Sequence, residues 1–340
     1  MKVSLVIDYH QNNKIFDLND KVTNRDDCNH SFWLLKTKLK ESNIELSTCD
    51  INLPLESDVS FCFDLPSTDV KLSVGSSYLF LFESEVIKPK SWDMDSHKLF
   101  KRVYTWHDEL VDNKKYFKFN YPHLFPRNRK QYEYEYGLFS FSNKKLCTLI
   151  SGNKNVKHSL ELYSERVEII RWFEKNKLDD FDLYGVGWDK WVPSNRYLRY
   201  ILSKIPRLSN WLAPDFPSYK GKVDSKKSTL KNYKFAICYE NAQMIPGYIT
   251  EKIFDCFFAG CIPVYMGAPN VTDHIPSDCF IDRRAFINHK ELYDYLNNMT
   301  EKEYLFMQKN ITNFLFSSKA DPFRAETFAN TIVRHVLDDK

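Results

Sequence analysis

Between Tyr239 and Pro269 the chain reads YENAQMIPGYITEKIFDCFFAGCIPVYMGAP, and its polar residues are ordered as if to hold a ligand. Glu240 and Asn241 follow the apolar run YKFAICY, which places an acid–amide pair at the carboxyl end of a buried strand. Open α/β sheets take their ligands there. Gly247 permits a sharp turn or a close backbone approach. Thr250 suits a helix N-cap, with Ile253, Phe254, Phe257 and Phe258 packing inward and Gly260 ending the helix. Free N–H groups and Lys252 in the first turn favour an anion. Glu251 would repel a phosphate at contact and is better used on the hydroxyls of a ribose or sugar, while Tyr248 offers a ring face or a hydroxyl. Together these residues describe a pocket for a nucleoside diphosphate carrying a sugar. A Thr-capped amphipathic helix with a solvated Glu-Lys pair accounts for TEK alone. It does not account for the acid–amide pair, the Gly-Tyr step and the strand–helix–strand setting together.

The elements that must position these groups alternate along the chain. KVSLVID, IELSTCD, DVSFCFDL, SYLFLFE and RVYTWHD read as strands, and SFWLLKTKLKES as a helix. Residues 112–146 read as an irregular connector, with a domain boundary at Lys145. A second run starts with LCTLIS and a helix over 159–176, whose stripe of Tyr163, Val167 and Ile170 is widened by Ile169 and Phe173. FDLYGVG, YKFAICYE and CIPVYMG follow as strands, and the chain closes in helices. The pattern predicts an α/β protein with two doubly wound units facing a cleft: 1–145, 146–320, and a last helix over 321–340 packing back on the first unit. A single large sheet would fit the same alternation.

At 340 residues, 43% hydrophobic and 16% aromatic, the chain supports sizeable cores and excludes disorder. A net charge of +3 gives no global reason to expect nucleic acid, and no RNA-binding motif is present. The cysteines at 28, 49, 62, 147, 238, 256, 261 and 279 form no C-x-x-C pair and read as reduced thiols. VSLVI is too short for a signal-peptide core, so a cytoplasmic location is expected, and the four N-x-[ST] triplets then carry no weight.

The stretch YKFAICYEN…GYITEKIFDCFFAGCIPVYMGAPNV resembles the donor-binding motif of the α1,3/4-fucosyltransferases, glycosyltransferase family 10. YKGKVDSKKSTLKNYKF resembles the approach to that motif, and DLYGVGW a Gly turn of the same family. The likeness is dense over 180–275, thin over 145–180 and very thin before Lys145. It implies a GT-B fold of two Rossmann-like domains, with an N-terminal acceptor domain and a C-terminal GDP-sugar domain. It further implies an inverting transfer of L-fucose from GDP-β-L-fucose to a glycan hydroxyl. The expected acceptor is GlcNAc of a Gal/GlcNAc unit, α1,3-linked, as in lipopolysaccharide O-antigen or Lewis-type glycans. By position, Tyr248, Glu251 and Lys252 match the family's donor-binding residues. Arg166 matches its diphosphate-binding arginine, with Lys157 and Arg171 as alternatives because HSLELYSER is longer than the usual spacing. A structural arginine on an amphipathic helix is the plainer reading of Arg166. Glu240, Asn241 and Thr250 complete the donor set.

Inversion in one displacement needs a base for the acceptor proton. Glu83 ends the strand SYLFLF at its carboxyl end and resembles the family's acid there; Glu85 and Asp108 compete, and a solvated loop glutamate is the plain alternative. Leaving-group charge would fall to Lys252, Arg166 and the helix N-terminus. No obligatory cofactor or metal is expected, with Mn²⁺ or Mg²⁺ at most stimulating. Asp93-Met94-Asp95 lies in a polar loop rather than at a strand end, and the histidines lack ligand spacing. YGVGW lacks the third glycine of a dinucleotide fingerprint.

Residues 190–214, KWVPSNRYLRYILSKIPRLSNWLAP, hold five basic residues and no acid among aromatic and aliphatic ones. They fit a basic loop lining the donor cleft, simple packing, or peripheral contact with an anionic membrane. The rivals to a fucosyltransferase are a related enzyme using another GDP-sugar or O-antigen acceptor, and a non-catalytic nucleotide- or glycan-binding protein.

Overall fold

The computed structural model describes residues 1–67, 69–72, 75–137, 141–191, 193 and 195–340. The chain forms two compact units: 1–125 with 245–251 and 317–340, and 126–244 with 252–316.

In the first unit, β1 (Lys2–Val6), α1 (His30–Glu41), β2 (Glu45–Thr48), β3 (Val59–Phe63), β4 (Ser77–Leu81), β5 (Arg102–Thr105) and β6 (Tyr116–Lys118) build a six-stranded sheet. Its order is β2-β1-β3-β4-β5-β6, and all neighbours are parallel. Every residue of β3 and β4 is buried, as a strand covered on both faces requires. Register puts Phe63 beside Phe80 and Phe80 beside Tyr104, and the rings stack at 4.5 and 4.6 Å. Such cross-strand aromatic pairs contribute about 1 kcal/mol each beyond their burial. The last helix of the chain, Ala325–Asp338, lies on this sheet, with Phe328 6.2 Å from Phe80, and also packs against α1. Its end is held by Asp339, whose carboxylate takes two N–H bonds from Arg102 at 2.8 and 2.9 Å and the Tyr78 hydroxyl.

The second unit begins earlier than the sequence suggests. Within the expected connector, β6 belongs to the first sheet, and α2 (Arg129–Gly137) belongs to the second unit. Buried Tyr132 of α2 donates to the Phe257 carbonyl at 2.6 Å, which fixes the division at 125/126 rather than at Lys145. The strands β7 (Lys145–Ile150), β8 (Phe181–Tyr184), β9 (Tyr233–Tyr239), β10 (Ile262–Met266) and β11 (Ile281–Asp282) form a parallel sheet in the order β11-β10-β9-β7-β8. Between and after them lie α3 (Tyr163–Asn176), α4 (Arg196–Lys204), α5 (Pro206–Trp211), α6 (Lys226–Leu230), α7 (Glu251–Phe258), α8 (Val271–His274), α9 (His289–Asn298) and α10 (Glu301–Leu315), and the chain-terminal helix is α11. Thr300 and Glu303 form a reciprocal capping box that starts α10.

Both sheets run outward from the first strand and reverse between the first and third strands of their unit, so each has its topological switch point there. In the second unit that point lies between the carboxyl ends of β7 and β9. This places Glu240 and Asn241, which follow β9, beside Ser151, Gly152 and Asn153, which follow β7.

Candidate active site

The residues expected to bind a donor divide between the units. Arg166, Glu240, Asn241 and Lys252 belong to the second; Tyr248, Thr250 and Glu251 belong to the first, together with Glu83, Glu85 and Asp108.

In the second unit, Glu240 is fully buried and its carboxylate lies 3.2 Å from the Lys252 ammonium. The helix α7 starts at Glu251, directly after buried Thr250, so Lys252 stands in its first turn. Gly267 lets β10 come this close: a Cβ there would sit 2.5 Å from Glu240 Cγ. A buried carboxylate costs several kcal/mol unless a cation or hydrogen bonds compensate it, so this pair fixes the geometry where β9 meets α7.

The helix expected over 159–176 begins at Tyr163 instead. Leu162 N–H donates to the Asn241 carbonyl at 3.2 Å, and Gln243 N–H to the Leu160 carbonyl at 2.8 Å. The backbone of 160–162 is therefore paired with the donor-motif loop, and only the Leu162 carbonyl, as N-cap, joins the helix by accepting the Arg166 N–H. The later start puts Arg166 in the first turn of α3. The residue is 4% exposed, and its guanidinium donates to the carbonyls of Tyr239 and Glu240 at 2.6 and 2.7 Å and to Asn241 Oδ1 at 3.2 Å. Arg166 thus closes the turn after β9. Of its alternatives, Lys157 is exposed, and Arg171 is held by Glu174 and the Asp215 carbonyl, each at 2.6 Å.

The Gly turn DLYGVGW completes this end of the sheet. Gly185 has a φ of +135°, and a Cβ there would fall 1.8 Å from the Ser151 carbonyl oxygen. Asn153 N–H donates to the Val186 carbonyl at 2.9 Å and its amide to Gly187 at 3.0 Å, while the Trp188 indole holds Ser151 at 2.7 Å. The loops after β7 and β8 are thereby locked into one rim of backbone beside Glu240.

In the first unit, the Gly-Tyr step packs on the end of β5. Asp108 N–H donates to the Pro246 carbonyl at 3.2 Å. Gly247 has a φ of +80°, and a side chain there would meet the Trp106 carbonyl oxygen at 2.2 Å. Tyr248 is buried with its ring 4.5 Å from Trp106 and 6.4 Å from Tyr121. Its face is taken by protein, which leaves it the part of a wall rather than a stacking platform. Trp106 Nε1 (3.1 Å) and the Tyr121 hydroxyl both donate to the Phe82 carbonyl, the residue before Glu83. Burial first, then the charges of Tyr248, Glu83, Glu251 and Asp64, push the Tyr121 hydroxyl pKa well above its ordinary value. The first unit therefore gathers Glu83, Glu251 and Tyr248 around one aromatic cluster.

Glu83 is half-buried, and its turn is held from below by a residue that the sequence gives little reason to choose. Asp64, at a left-handed φ of 62°, accepts the N–H groups of Phe82 and Glu83 on one oxygen at 2.9 and 3.0 Å. Burial is the main cause that raises its pKa to about 7, with the Glu83 charge adding to it and the two N–H bonds opposing it. Its signal in the sequence is only an aspartate ending an apolar strand before Leu-Pro. Of the competitors for the base, Asp108 is paired with the partly buried Lys118 at 2.5 Å, and Glu85 is half-buried near His107. Asp93 and Asp95 accept from Ser96 and Lys98 in an exposed turn. Among the described residues, no three His, Cys, Asp or Glu side chains are grouped to hold a metal.

Residues 142–309 match the family described as glycosyltransferase family 10 (fucosyltransferase), C-terminal part. Over 88 residues the chain is 39% identical to the α-(1,3)-fucosyltransferase FucT of Helicobacter pylori, a match spanning 26% of this chain and 17% of that enzyme. A crystal structure of an α1,3-fucosyltransferase with GDP-fucose shares the fold at a TM-score of 0.50 and 18% identity, covering 94% of this chain and 82% of that one. An α-glucosyltransferase in complex with UDP and DNA shares it at a TM-score of 0.55 and 10% identity, over 99% of this chain and 100% of that one. The architecture is thus GT-B. Through its domain over 142–309, with the motif that carries Glu240, Asn241, Glu251 and Lys252, the chain belongs to glycosyltransferase family 10, the fucosyltransferases.

Proposed function

We propose that this protein transfers L-fucose from GDP-β-L-fucose to a sugar hydroxyl of a glycan with inversion, forming an α1,3 linkage to GlcNAc of a Gal/GlcNAc unit. The observation that carries the reading is the motif 239–269 itself. It sets Glu240 and Lys252 as an ion pair at the carboxyl end of β9, inside a segment that matches the family. The H. pylori relative and the GDP-fucose-bound neighbour supply the sugar and nucleotide by analogy.

In this mechanism the carboxylate of Glu83 takes the proton of the acceptor hydroxyl as its oxygen attacks C1 of fucose. The bond from C1 to the β-phosphate oxygen breaks, and its electron pair leaves with GDP. Lys252 and the N-terminus of α7 meet that charge. Arg166 shapes the turn after β9 and adds positive charge there. Glu251 and the neighbouring main chain serve the hydroxyls of the donor. The reading is tested by incubating the protein with GDP-fucose and a panel of Gal/GlcNAc acceptors and assigning the product anomer by NMR. An α-fucoside at O3 of GlcNAc supports it. Turnover only with another GDP-sugar would replace the donor, and GDP binding without any turnover would make the chain a binding protein.

A further inference from the structure

We propose that the helix pair α4–α5 is a docking surface for an anionic lipid bilayer. The packing reading of 190–214 fails on exposure: Tyr197 is 81% exposed, Trp211 80%, Tyr200 66% and Ile201 53%, with Ile205 and Leu208 also open to solvent. A soluble surface rarely spends this many large apolar side chains on two short neighbouring helices without a partner.

The pair is nevertheless built, not loose. Asn195 caps α4 through N–H bonds from Tyr197 and Leu198 at 2.9 and 3.1 Å, and Pro206 opens α5, where its missing N–H is not needed. Leu202 and Ser209 are buried beneath it, and the Ser209 carbonyl accepts the Trp191 N–H at 2.9 Å. Val192 and Ser194, within the same stretch, lie outside the described residues.

Chemistry selects the occupant. By sequence, residues 190–214 hold five basic residues and no acid, and the exposed Lys190 and Lys204 put positive charge beside the patch, which suits an anionic surface. Lys204 holds its ammonium 5.5 Å from the exposed Tyr200 ring, joining the charge to the aromatic patch. A second copy of the chain would set cations against cations across a self-complementary contact. Nucleic acid would meet the charge but leave Ile201, Ile205 and Leu208 unburied. A bilayer interface takes both, with aromatic and aliphatic groups at the acyl boundary and cations among phosphates. Among the described residues no helix is long and apolar enough to cross a membrane, so the mode is lying on the surface.

The test is flotation of the full chain with phosphatidylcholine vesicles, with and without phosphatidylglycerol, at low and high salt. Vesicles containing phosphatidylglycerol should carry the protein, phosphatidylcholine alone should not, and added salt should release it. The variant Tyr200→Ser/Ile201→Ser/Trp211→Ser should lose about tenfold or more in partitioning while keeping its melting temperature, since all three side chains are exposed. No flotation on anionic vesicles at low salt, or equal flotation of the triple variant, overturns the proposal. So does a dimer in sedimentation equilibrium that the triple variant abolishes, or tight binding of single-stranded RNA in place of vesicles.

Discussion

The ammonium of Lys252 lies 3.2 Å from the carboxylate of Glu240, whose side chain has no solvent exposure. Removing the cation takes the opposing charge away from a carboxylate in a dry setting. Lys252→Ala should therefore cost about 3 kcal/mol of stability in urea unfolding, whereas Lys252→Met/Glu240→Gln should recover most of the loss. If the single and double variants are equally unstable, the pair does not organise this end of the sheet.

Glu83→Gln removes the proposed base but keeps its shape. It should lower kcat for fucosyl transfer by about 10²- to 10⁴-fold and leave GDP affinity within twofold of the wild type. Asp108→Asn breaks the pair with Lys118 and should act chiefly on stability. A larger kcat loss in Asp108→Asn than in Glu83→Gln would reassign the base.

Asp64 gives the fold a pH dependence on the neutral side. Its folded pKa, about 7, lies above the ordinary carboxylate value of 3.8, so the native state holds a proton that the unfolded chain releases. This contribution is fully present below pH about 4 and is lost as pH rises toward 7. Asp64→Asn should be more stable than the wild type at pH 8, by a few kcal/mol relative to their difference at pH 4. A difference between the two that does not change with pH would contradict the assignment.

Asp339 acts with the opposite sign. The Arg102 guanidinium first, with the Tyr78 and Lys101 hydrogen bonds, holds its carboxyl far below the usual range against the opposing effect of burial. Its contribution is present above pH about 4 and fades as pH falls further. Asp339→Asn should loosen α11, read as faster amide exchange over 325–338 above pH 5, with the two proteins converging in acid. Equal exchange at neutral pH would remove Asp339 as the anchor of that helix.

Gly247→Ala must move either the Trp106 carbonyl or the loop. Tyr248 should leave its place on Trp106, visible as a change in near-ultraviolet circular dichroism, with loss of turnover and little change in helix content. Wild-type turnover in this variant would mean that the close approach is dispensable.

Much of this was legible in the chain. Strand ends marked by Glu83, Glu240 and the Gly turn were readable because continuous apolar runs stop abruptly at polar residues. The start of α3 was not, because the partner of Leu160 and Leu162 is the loop at 241–243, some eighty residues on, and periodicity carries no long-range pairing. Asp64 was hidden for the same reason, since its work is done on the amides of Phe82 and Glu83. Tyr248 was legible as a candidate by its motif, but its burial against Trp106 was not. The 112–146 connector concealed β6 because its three residues are only half-buried, and α2 because buried Tyr132 sits among exposed polar neighbours.

The most direct test of the donor site is calorimetric titration of GDP, UDP and ADP into the wild-type protein and into folded Lys252→Ala. Binding of GDP about tenfold or more tighter than UDP and ADP, weakened by about tenfold or more in the variant, is the predicted result. Equal affinities for the three nucleotides, or GDP binding untouched by the loss of Lys252, would contradict the donor site placed at the end of β9.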